Sequence, residues 1–150
     1  MSHILEQQFP LLQPTGYTIT SPQTQSYNCI AWAAGDVKHW WWPDPSGCAF
    51  WPANAPRVES VEAFIEAYRS LGYEPCASHD LEMGVEKVAL YVANGQPSHA
   101  ARQLTDGGWT SKCGRLEDIR HTLEGLVGDM YGQAVMFLSR HRASDTGITV

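Results

Sequence analysis

The sequence predicts an α+β domain with an antiparallel sheet, and three observations lead to this fold class. Apolar side chains recur at helical spacing over residues 58–71, and Gly72 ends the pattern. Apolar runs at 86–92 and 133–139 are typical of strands, and a hairpin signal predicts two more at 98–104 and 109–112. Helices followed by strands that adjoin one another along the chain are typical of α+β proteins.

The strand at 98–104 is predicted to form a hairpin with a strand at 109–112. Asp106 and Gly107 lie in the connection, and Asp-Gly between two short runs is typical of a hairpin. A type I′ turn there requires positive φ at both central residues. The sequence therefore predicts two adjacent antiparallel strands.

Length and composition exclude several classes of protein. A chain of 150 residues has the size of one domain, and 43% hydrophobic with 17% charged residues argues against global disorder. The net charge is −6 and the ten Lys and Arg residues are scattered, which argues against nucleic-acid binding. No apolar run approaches the ~18 residues of a membrane helix.

The chain is predicted to have three parts. Residues 1–25, rich in Pro and Gln, predict an irregular lead-in. Residues 26–140 form the domain, and residues 141–150 form a loose polar tail. The N-terminus shows no signal peptide, so we expect a protein that is cytoplasmic as synthesised.

Two further helices and one long loop are predicted inside the domain. Residues 26–35 predict a short helix with Ser26 as its N-cap. Residues 116–126 predict a second amphipathic helix, because Leu and Ile recur at helical spacing. Residues 39–57, rich in aromatics and prolines, predict a long structured loop.

Cys29 is the candidate nucleophile. If Ser26 caps the helix, Cys29 occupies the first turn, where unpaired backbone N–H groups and the positive end of the helix dipole favour a thiolate. The alternative is a small buried residue that packs the helix start.

His99 is the candidate base among the six histidines, because it begins a strand just before the hairpin. By period-two alternation, His99, Ala101 and Gln103 share one face of that strand. The small neighbours Ala100 and Ala101 allow another element to approach closely. The alternative is a hydrogen-bonded structural histidine.

These residues resemble a known family of enzymes. The segment Tyr27-Asn28-Cys29-Ile30-Ala31-Trp32 resembles the start of the NlpC-type branch of papain-like cysteine peptidases. The segment from His99 to Ser111 is similar, without gaps, to the His strand, hairpin and return strand of that branch. The resemblance implies a papain-like fold with an N-terminal catalytic helix packed on a small antiparallel sheet.

The resemblance also implies roles for individual residues. Cys29 would attack an amide carbonyl, His99 would shuttle the proton, Ser111 would orient the imidazole, and Tyr27 would lie beside the site. Ser111 is shorter than the His, Asn or Glu usual in the family, so three alternatives stay open for the third catalytic residue: Gln103, Thr110 and His121.

An oxyanion hole needs N–H donors, and papain-like enzymes often take one from a side chain just before the nucleophile. Gln23 and Gln25 are the candidates. Trp42, in a run of three tryptophans, is a candidate for a substrate groove. Lys112 is a candidate for contact with an anionic substrate group. The alternative for each of these residues is an ordinary role in packing or on the solvated surface.

The sequence predicts no metal site and no organic cofactor. Cys76 and His79 have the gap of a zinc ligand pair, but no second tight pair accompanies them. With no secretion signal, a disulfide framework among the four cysteines is not expected either.

The whole sequence is also similar to a family of uncharacterised bacterial proteins. The shared segments are Tyr-Asn-Cys-Ile-Ala-Trp-Ala, Trp-Trp-Trp-Pro and His-Ala-Ala-Arg-Gln-Leu. This likeness brings no substrate with it. By analogy, a bacterial effector or toxin exported by a leaderless route and paired with an immunity or inhibitor protein would also fit.

We expect a thiol hydrolase that cleaves an amide or isopeptide bond in a protein or cell-wall peptide through an acyl-enzyme. The alternatives are a non-catalytic binding module that uses the tryptophan-rich loop, and a deamidase or acyltransferase with the same Cys–His pair. None of these functions involves nucleic acid or a membrane.

Overall fold

The computed structural model describes residues 3–113 and 116–142, and an antiparallel sheet of seven strands dominates it. The strands are β1 (Tyr17–Ser21), β2 (Glu74–Cys76), β3 (Val85–Ala93), β4 (Gln96–Gln103), β5 (Trp109–Lys112), β6 (Asp118–His121) and β7 (Gln133–His141). The helices are α1 (His3–Gln8), α2 (Leu12–Thr15), α3 (Cys29–Ala33), α4 (Val61–Arg69) and a 3₁₀ turn (Glu124–Leu126). The order of strands across the sheet is β1-β6-β5-β4-β3-β7-β2.

The predicted α+β, papain-like fold class is wrong. The described part of the chain is β-rich, and its longest helix, α4, has nine residues. α3, the expected catalytic helix, has only five. The sheet is larger than expected because segments predicted to be irregular or helical pair as strands.

The predicted helix at 116–126 is wrong. Residues Asp118–His121 form β6, which pairs with β5 on one side and with β1 on the other. Ile119 fits a strand alternation as well as a helical one, and the two strand partners decide between them. Only the end of the segment is helical, as the 3₁₀ turn.

The predicted irregular lead-in is also wrong. Residues 3–21 form α1, α2 and β1, and the side chains of Leu5, Phe9 and Leu12 are buried. This segment therefore belongs to the core, and residue 26 marks no structural boundary. At the other end β7 runs to His141, and residues 143–150 of the predicted tail lie outside the described residues.

Other predicted elements are confirmed. α4 begins after Ser60, whose hydroxyl accepts a hydrogen bond from Ala63 N, and Gly72 follows it at φ 94°. Strands β3, β4, β5 and β7 lie where the sequence predicts strands. The hairpin forms, but without a type I′ turn, because among its loop residues only Gly107 has positive φ.

The two faces of the sheet bury separate clusters. Directly paired residues point to the same face, and neighbours along a strand point to opposite faces. The helix face packs Val88, Leu90 and Ala100 against α3 and α4. The N-terminal face packs the alternate residues, including Ala89 and Ala101, against α1 and α2.

A break in strand pairing lies at the centre of the sheet. β4 pairs with β5 only at Arg102↔Thr110 and Gln103↔Trp109, so the first part of β4 has no partner in β5. The register of β3 and β4 shifts next to Tyr91↔His99, which leaves Ser98 as an extra residue. Bulges of this kind are frequent beside active sites.

The burial of the N-terminal segment yields a stability prediction. Phe9→Ala removes a side chain that is 2% exposed, and it should lower the free energy of unfolding by about 3–5 kcal/mol. Ile4→Ala, in the same segment but 51% exposed, is the matched control and should cost less than about 1 kcal/mol. Urea denaturation measures both. Equal, small losses would show that residues 3–21 do not pack on the sheet.

Candidate active site

Asn28, and not Ser26, is the N-cap of α3. Its Oδ1 accepts hydrogen bonds from Ala31 N at 3.2 Å and from Trp41 N at 3.0 Å. Its Nδ2 donates to Trp41 O at 2.7 Å. The buried Asn28 side chain therefore caps the helix, so that Cys29 is its first residue. The same side chain binds the aromatic loop, residues 39–57, to the helix start.

The Cys29 thiol is buried among backbone donors. Cys29 is 7% exposed, and its sulfur receives backbone hydrogen bonds from the N–H groups of Ala100, Ile30 and Cys29 itself. Burial nevertheless dominates and raises the pKa of the thiol to about 11, while those N–H groups and Lys112 lower it. The expectation of a thiolate at this helix start is wrong, because the position is desolvated.

A chain of hydrogen bonds begins at His99. His99 Nε2 lies 2.9 Å from Ser111 Oγ, which lies 2.6 Å from His121 Nε2. His121 Nδ1 lies 2.6 Å from the carbonyl oxygen of Thr122. Three adjacent strands, β4, β5 and β6, each contribute one buried side chain to it.

The direction of this chain follows from its last acceptor. A carbonyl only accepts, so His121 Nδ1 carries the hydrogen and, in a neutral ring, His121 Nε2 accepts the proton of the Ser111 hydroxyl. Ser111 Oγ then receives a hydrogen from His99 Nε2. A neutral His99 consequently has an unprotonated Nδ1.

Burial keeps both rings neutral. It lowers the pKa of His99 well below its usual value, an effect to which His121 adds. It also lowers the pKa of His121 to about 4, although the bond to Thr122 opposes this. His99 is stacked on Tyr131 at 4.0 Å between ring centroids and meets the edge of Tyr91 at 5.2 Å.

His99 Nδ1 is buried and has no hydrogen-bond partner among the described residues. A buried acceptor without a partner is costly, at about 1–3 kcal/mol, and unpaired atoms of this kind in native proteins often have a chemical role. The nitrogen that the Ser111 chain leaves free has the lone pair required of a general base.

Cys29 lies beside the strand that carries His99. The peptide N–H acting on the thiol is that of Ala100, the next residue along β4, at the point where β4 has left β5. Burial raises the pKa of Tyr131, which stacks on His99, well above its usual value, and Cys29 adds to this effect. No hydrogen bond joins Sγ to Nδ1 in this resting arrangement, and catalytic contacts often tighten only when substrate binds.

The candidates for the third residue are separated by the structure. Ser111 and His121 both belong to the chain that starts at His99. Gln103 instead donates from Nε2 to His79 O at 2.9 Å. Thr110 points to the opposite face and accepts a hydrogen bond from Trp32 Nε1 at 3.0 Å.

Two candidates for oxyanion contacts are not brought to the thiol. The side chains of Gln23 and Gln25 are exposed and form no part of the buried shell around Cys29.

Trp42, the candidate for a substrate groove, packs edge-on against Phe64 and donates to Glu59 at 3.2 Å, so part of this side chain belongs to the core.

Tyr27 and Lys112 belong to a buried polar cluster beside α3. Tyr27 donates its hydroxyl to Asp118 Oδ2 at 2.6 Å, and its ring stacks on Trp32. Lys112 is buried rather than solvated, donates to Leu116 O and lies 5.8 Å from the Tyr27 ring. Its positive charge lowers the pKa of the Cys29 thiol, although burial outweighs this effect.

Sequence reasoning missed Asn28 as the cap and the two tyrosines that sandwich His99. The signal for Tyr91 was present, because this residue alternates with Leu90 and Val92 in a run typical of a strand. The signal for Asn28 was ambiguous, since Ser26 is an equally good cap in isolation.

The chain belongs to the family described as a domain of unknown function, DUF7689, whose model matches residues 18–139. No curated protein and no solved structure matches the chain. Within residues 3–113 and 116–142, no three His, Cys, Asp or Glu side chains are grouped to hold a metal ion. The same residues include no helix long and apolar enough to cross a membrane.

Two buried neutral histidines predict a pH dependence of stability. The unfolded chain binds protons at the usual histidine pKa near 6.5, whereas the folded chain resists them, so stability is full above pH 6.5 and falls as the pH is lowered. We expect a loss of about 1.4 kcal/mol per pH unit for each such residue once the pH is below that value.

Urea denaturation between pH 6.5 and pH 5 measures this slope. His121→Gln should remove its share of the slope, whatever it does to the absolute stability. His141→Gln replaces an exposed imidazole and should leave the slope unchanged. A free energy of unfolding that is constant over this range in the natural sequence would show that neither ring is held neutral.

Proposed function

We propose that the protein is a thiol-dependent hydrolase that cleaves an amide or isopeptide bond of a peptide or protein, with Cys29 as nucleophile and His99 as general base. The observations that carry this proposal are the unpartnered Nδ1 of His99, whose Nε2 is occupied by Ser111, and the hydrogen bond to the Cys29 thiol from Ala100, the residue after His99. It rests on these side chains and not on a papain-like fold.

The proposed reaction begins from a neutral pair. Because the thiol pKa is about 11 and the His99 pKa is depressed, the resting site holds a thiol and a neutral imidazole. Sγ attacks the carbonyl carbon as His99 Nδ1 accepts the thiol proton. As the S–C bond forms, the negative charge passes to the carbonyl oxygen. The backbone N–H groups at the sulfur lower the pKa of the thiol and so favour loss of its proton.

The second half of the reaction returns the site to its starting state. His99 gives the proton to the leaving amine, which departs and leaves a thioester on Cys29. Water then attacks the thioester carbon as His99 accepts one of its protons. The C–S bond breaks, His99 returns the proton to Sγ, and the carboxylic acid is released. Ser111 holds the ring in one orientation through both halves.

Alternatives that share the thioester differ only in the group that enters or leaves. Deamidation releases ammonia in the first half, and acyl transfer replaces water by an amine in the second. The binding-module alternative has less support, because Trp41 and Trp51 of the aromatic loop are buried. Export as an effector with an immunity protein stays a prediction from analogy.

An acyl-transfer experiment tests the proposal without knowledge of the substrate. p-Nitrophenyl acetate is added at pH 6.5–9, and acetylation of each cysteine is followed by mass spectrometry. If His99 accepts the proton, Cys29 should react at a rate that is nearly flat over this range. His99→Ala should react at least about 100-fold more slowly at pH 7 and rise about tenfold per pH unit, as an unassisted thiol does.

The exposed Cys48 is the internal control, and its rate should not depend on His99. Cys29→Ala should lose the acetyl group that we assign to the site. Acetylation of Cys29 that rises about tenfold per pH unit in the natural sequence, or that survives His99→Ala unchanged, would contradict the proposal.

Ser111→Ala tests the orientation of His99. Loss of one hydrogen bond, at about 1–1.5 kcal/mol, should slow acetylation of Cys29 about tenfold. Thr110→Val removes a hydroxyl from the same strand on the opposite face and should change the rate less than about twofold. Equal effects of the two variants would show that Ser111 contributes only to folding.

A further inference from the structure

Arg102, on the helix face of β4, has no carboxylate partner among the described residues. Every other arginine of residues 3–113 and 116–142 lies within 3.3 Å of an Asp or Glu oxygen. Arg102 is half-buried, and its Nε is a buried atom without a hydrogen-bond partner among these residues. A guanidinium partly removed from water with no anion beside it is costly, so a bound anion would offset that cost.

The Arg102 guanidinium lies over an aromatic ring of α3. Its Cζ is 5.6 Å from the centre of the Trp32 ring, and Trp32 stacks on Tyr27 at 5.4 Å between ring centroids. Stacking of this kind attracts the cation and restricts the plane of the guanidinium. The terminal nitrogens Nη1 and Nη2 are neither hydrogen-bonded to a described residue nor among the buried unpartnered atoms, so both reach the surface and are open to a ligand.

The one acidic residue of β3 is already occupied by other arginines. Glu86 lies on the helix face two residues before Val88, the direct partner of Arg102. Its carboxylate accepts from Arg140 Nε at 2.7 Å and from Arg142 Nη1 at 3.3 Å. The part of the chain that the structure describes thus supplies no anion to Arg102.

Arg102 lies one step along both α3 and β4 from the Cys29 thiol. On β4 it follows Ala100 by two residues on the same face, and the Ala100 N–H bonds the thiol. On α3, Trp32 follows Cys29 by one turn. Two strand residues span about 6–7 Å, which is also the span of two residues of an extended peptide substrate.

The hydroxyl of Tyr68 lies close enough to both groups to respond to their charges. It donates to the carbonyl oxygen of Ile30, the residue after Cys29, at 2.8 Å. Burial raises the pKa of Tyr68 well above its usual value, Cys29 adds to this effect, and Arg102 opposes it. This agrees with the placement of Cys29 and Arg102 in one neighbourhood.

We infer that Arg102 and Trp32 form a carboxylate-binding site. The two terminal nitrogens of a guanidinium match the two oxygens of a carboxylate, whereas a phosphate group is typically met by a cluster of arginines. If the proposed hydrolase function holds, on which this second step rests, the carboxylate belongs to the substrate. The substrate class is then a peptide or protein that carries a carboxylate about two residues from the scissile amide.

Titration with adipamate, the monoamide of adipic acid, tests the carboxylate site without any reaction. The indole N–H signal of Trp32 in ¹⁵N-labelled protein should shift and saturate. Adipamide has the same length and no charge, so it should bind at least about tenfold more weakly. Arg102→Gln should weaken the binding of adipamate by a similar factor. Arg69→Gln removes an arginine from the surface of α4 and should leave that binding unchanged.

Two active esters test whether the bound carboxylate belongs to the substrate. Mono-p-nitrophenyl adipate places its carboxylate about the span of two peptide residues from the reactive carbonyl, and the p-nitrophenyl ester of adipamic acid is its uncharged counterpart. By mass spectrometry, the charged ester should acylate Cys29 at least about tenfold faster, although the net charge of −6 repels it. Arg102→Gln should abolish this preference, and Arg69→Gln should preserve it.

Failure of the inference and failure of the hydrolase function are distinguishable. If neither ester acylates Cys29, the hydrolase function is wrong, while the adipamate titration still decides the carboxylate site. Equal rates of the two esters, or a preference that survives Arg102→Gln, would overturn the assignment of the carboxylate to the substrate. No saturable Trp32 shift, equal binding of adipamide, or unchanged adipamate binding in a folded Arg102→Gln protein would overturn the site itself.

Discussion

The buried hydrogen bond between Ser111 and His121 is the constraint on which the site depends. A serine hydroxyl has one hydrogen, and His121 receives it because its own Nδ1–H is used by the Thr122 carbonyl. Ser111 can then only accept from His99, which leaves Nδ1 of that ring with a lone pair. The central sheet must hold β4, β5 and β6 in a fixed register for this to occur.

Burial has opposite consequences for the two proposed reacting groups. It raises the pKa of the Cys29 thiol and lowers that of the His99 imidazole, so both are neutral at rest. Three backbone N–H groups and Lys112 lower the pKa of the thiol, but by less than burial raises it. A preformed thiolate–imidazolium pair is therefore disfavoured, and in the proposed reaction proton transfer accompanies attack.

The parts of the site that the sequence predicted are those held by local structure. His99 and Ser111 lie on the two arms of one hairpin, so their proximity follows from a turn signal. β6 was missed because its partners, β5 and β1, are set by long-range pairing and Ile119 fits either periodicity. The sequence predicted a lowered pKa for the thiol, whereas burial raises it. The burial of a helix start depends on the elements that pack over it, which local sequence does not specify. The papain-like fold class failed because β1 and β6, predicted to be irregular and helical, join the sheet, and the expected catalytic helix has only five residues.

The tautomer of His99 tests the central claim most directly. A long-range ¹⁵N–¹H correlation spectrum of the imidazole rings at pH 7 distinguishes protonated from unprotonated ring nitrogens. We predict that His99 carries its hydrogen on Nε2 and His121 carries its hydrogen on Nδ1. A His99 ring that is protonated on Nδ1, or on both nitrogens, would contradict the account, because Nδ1 would then have no lone pair to accept the thiol proton.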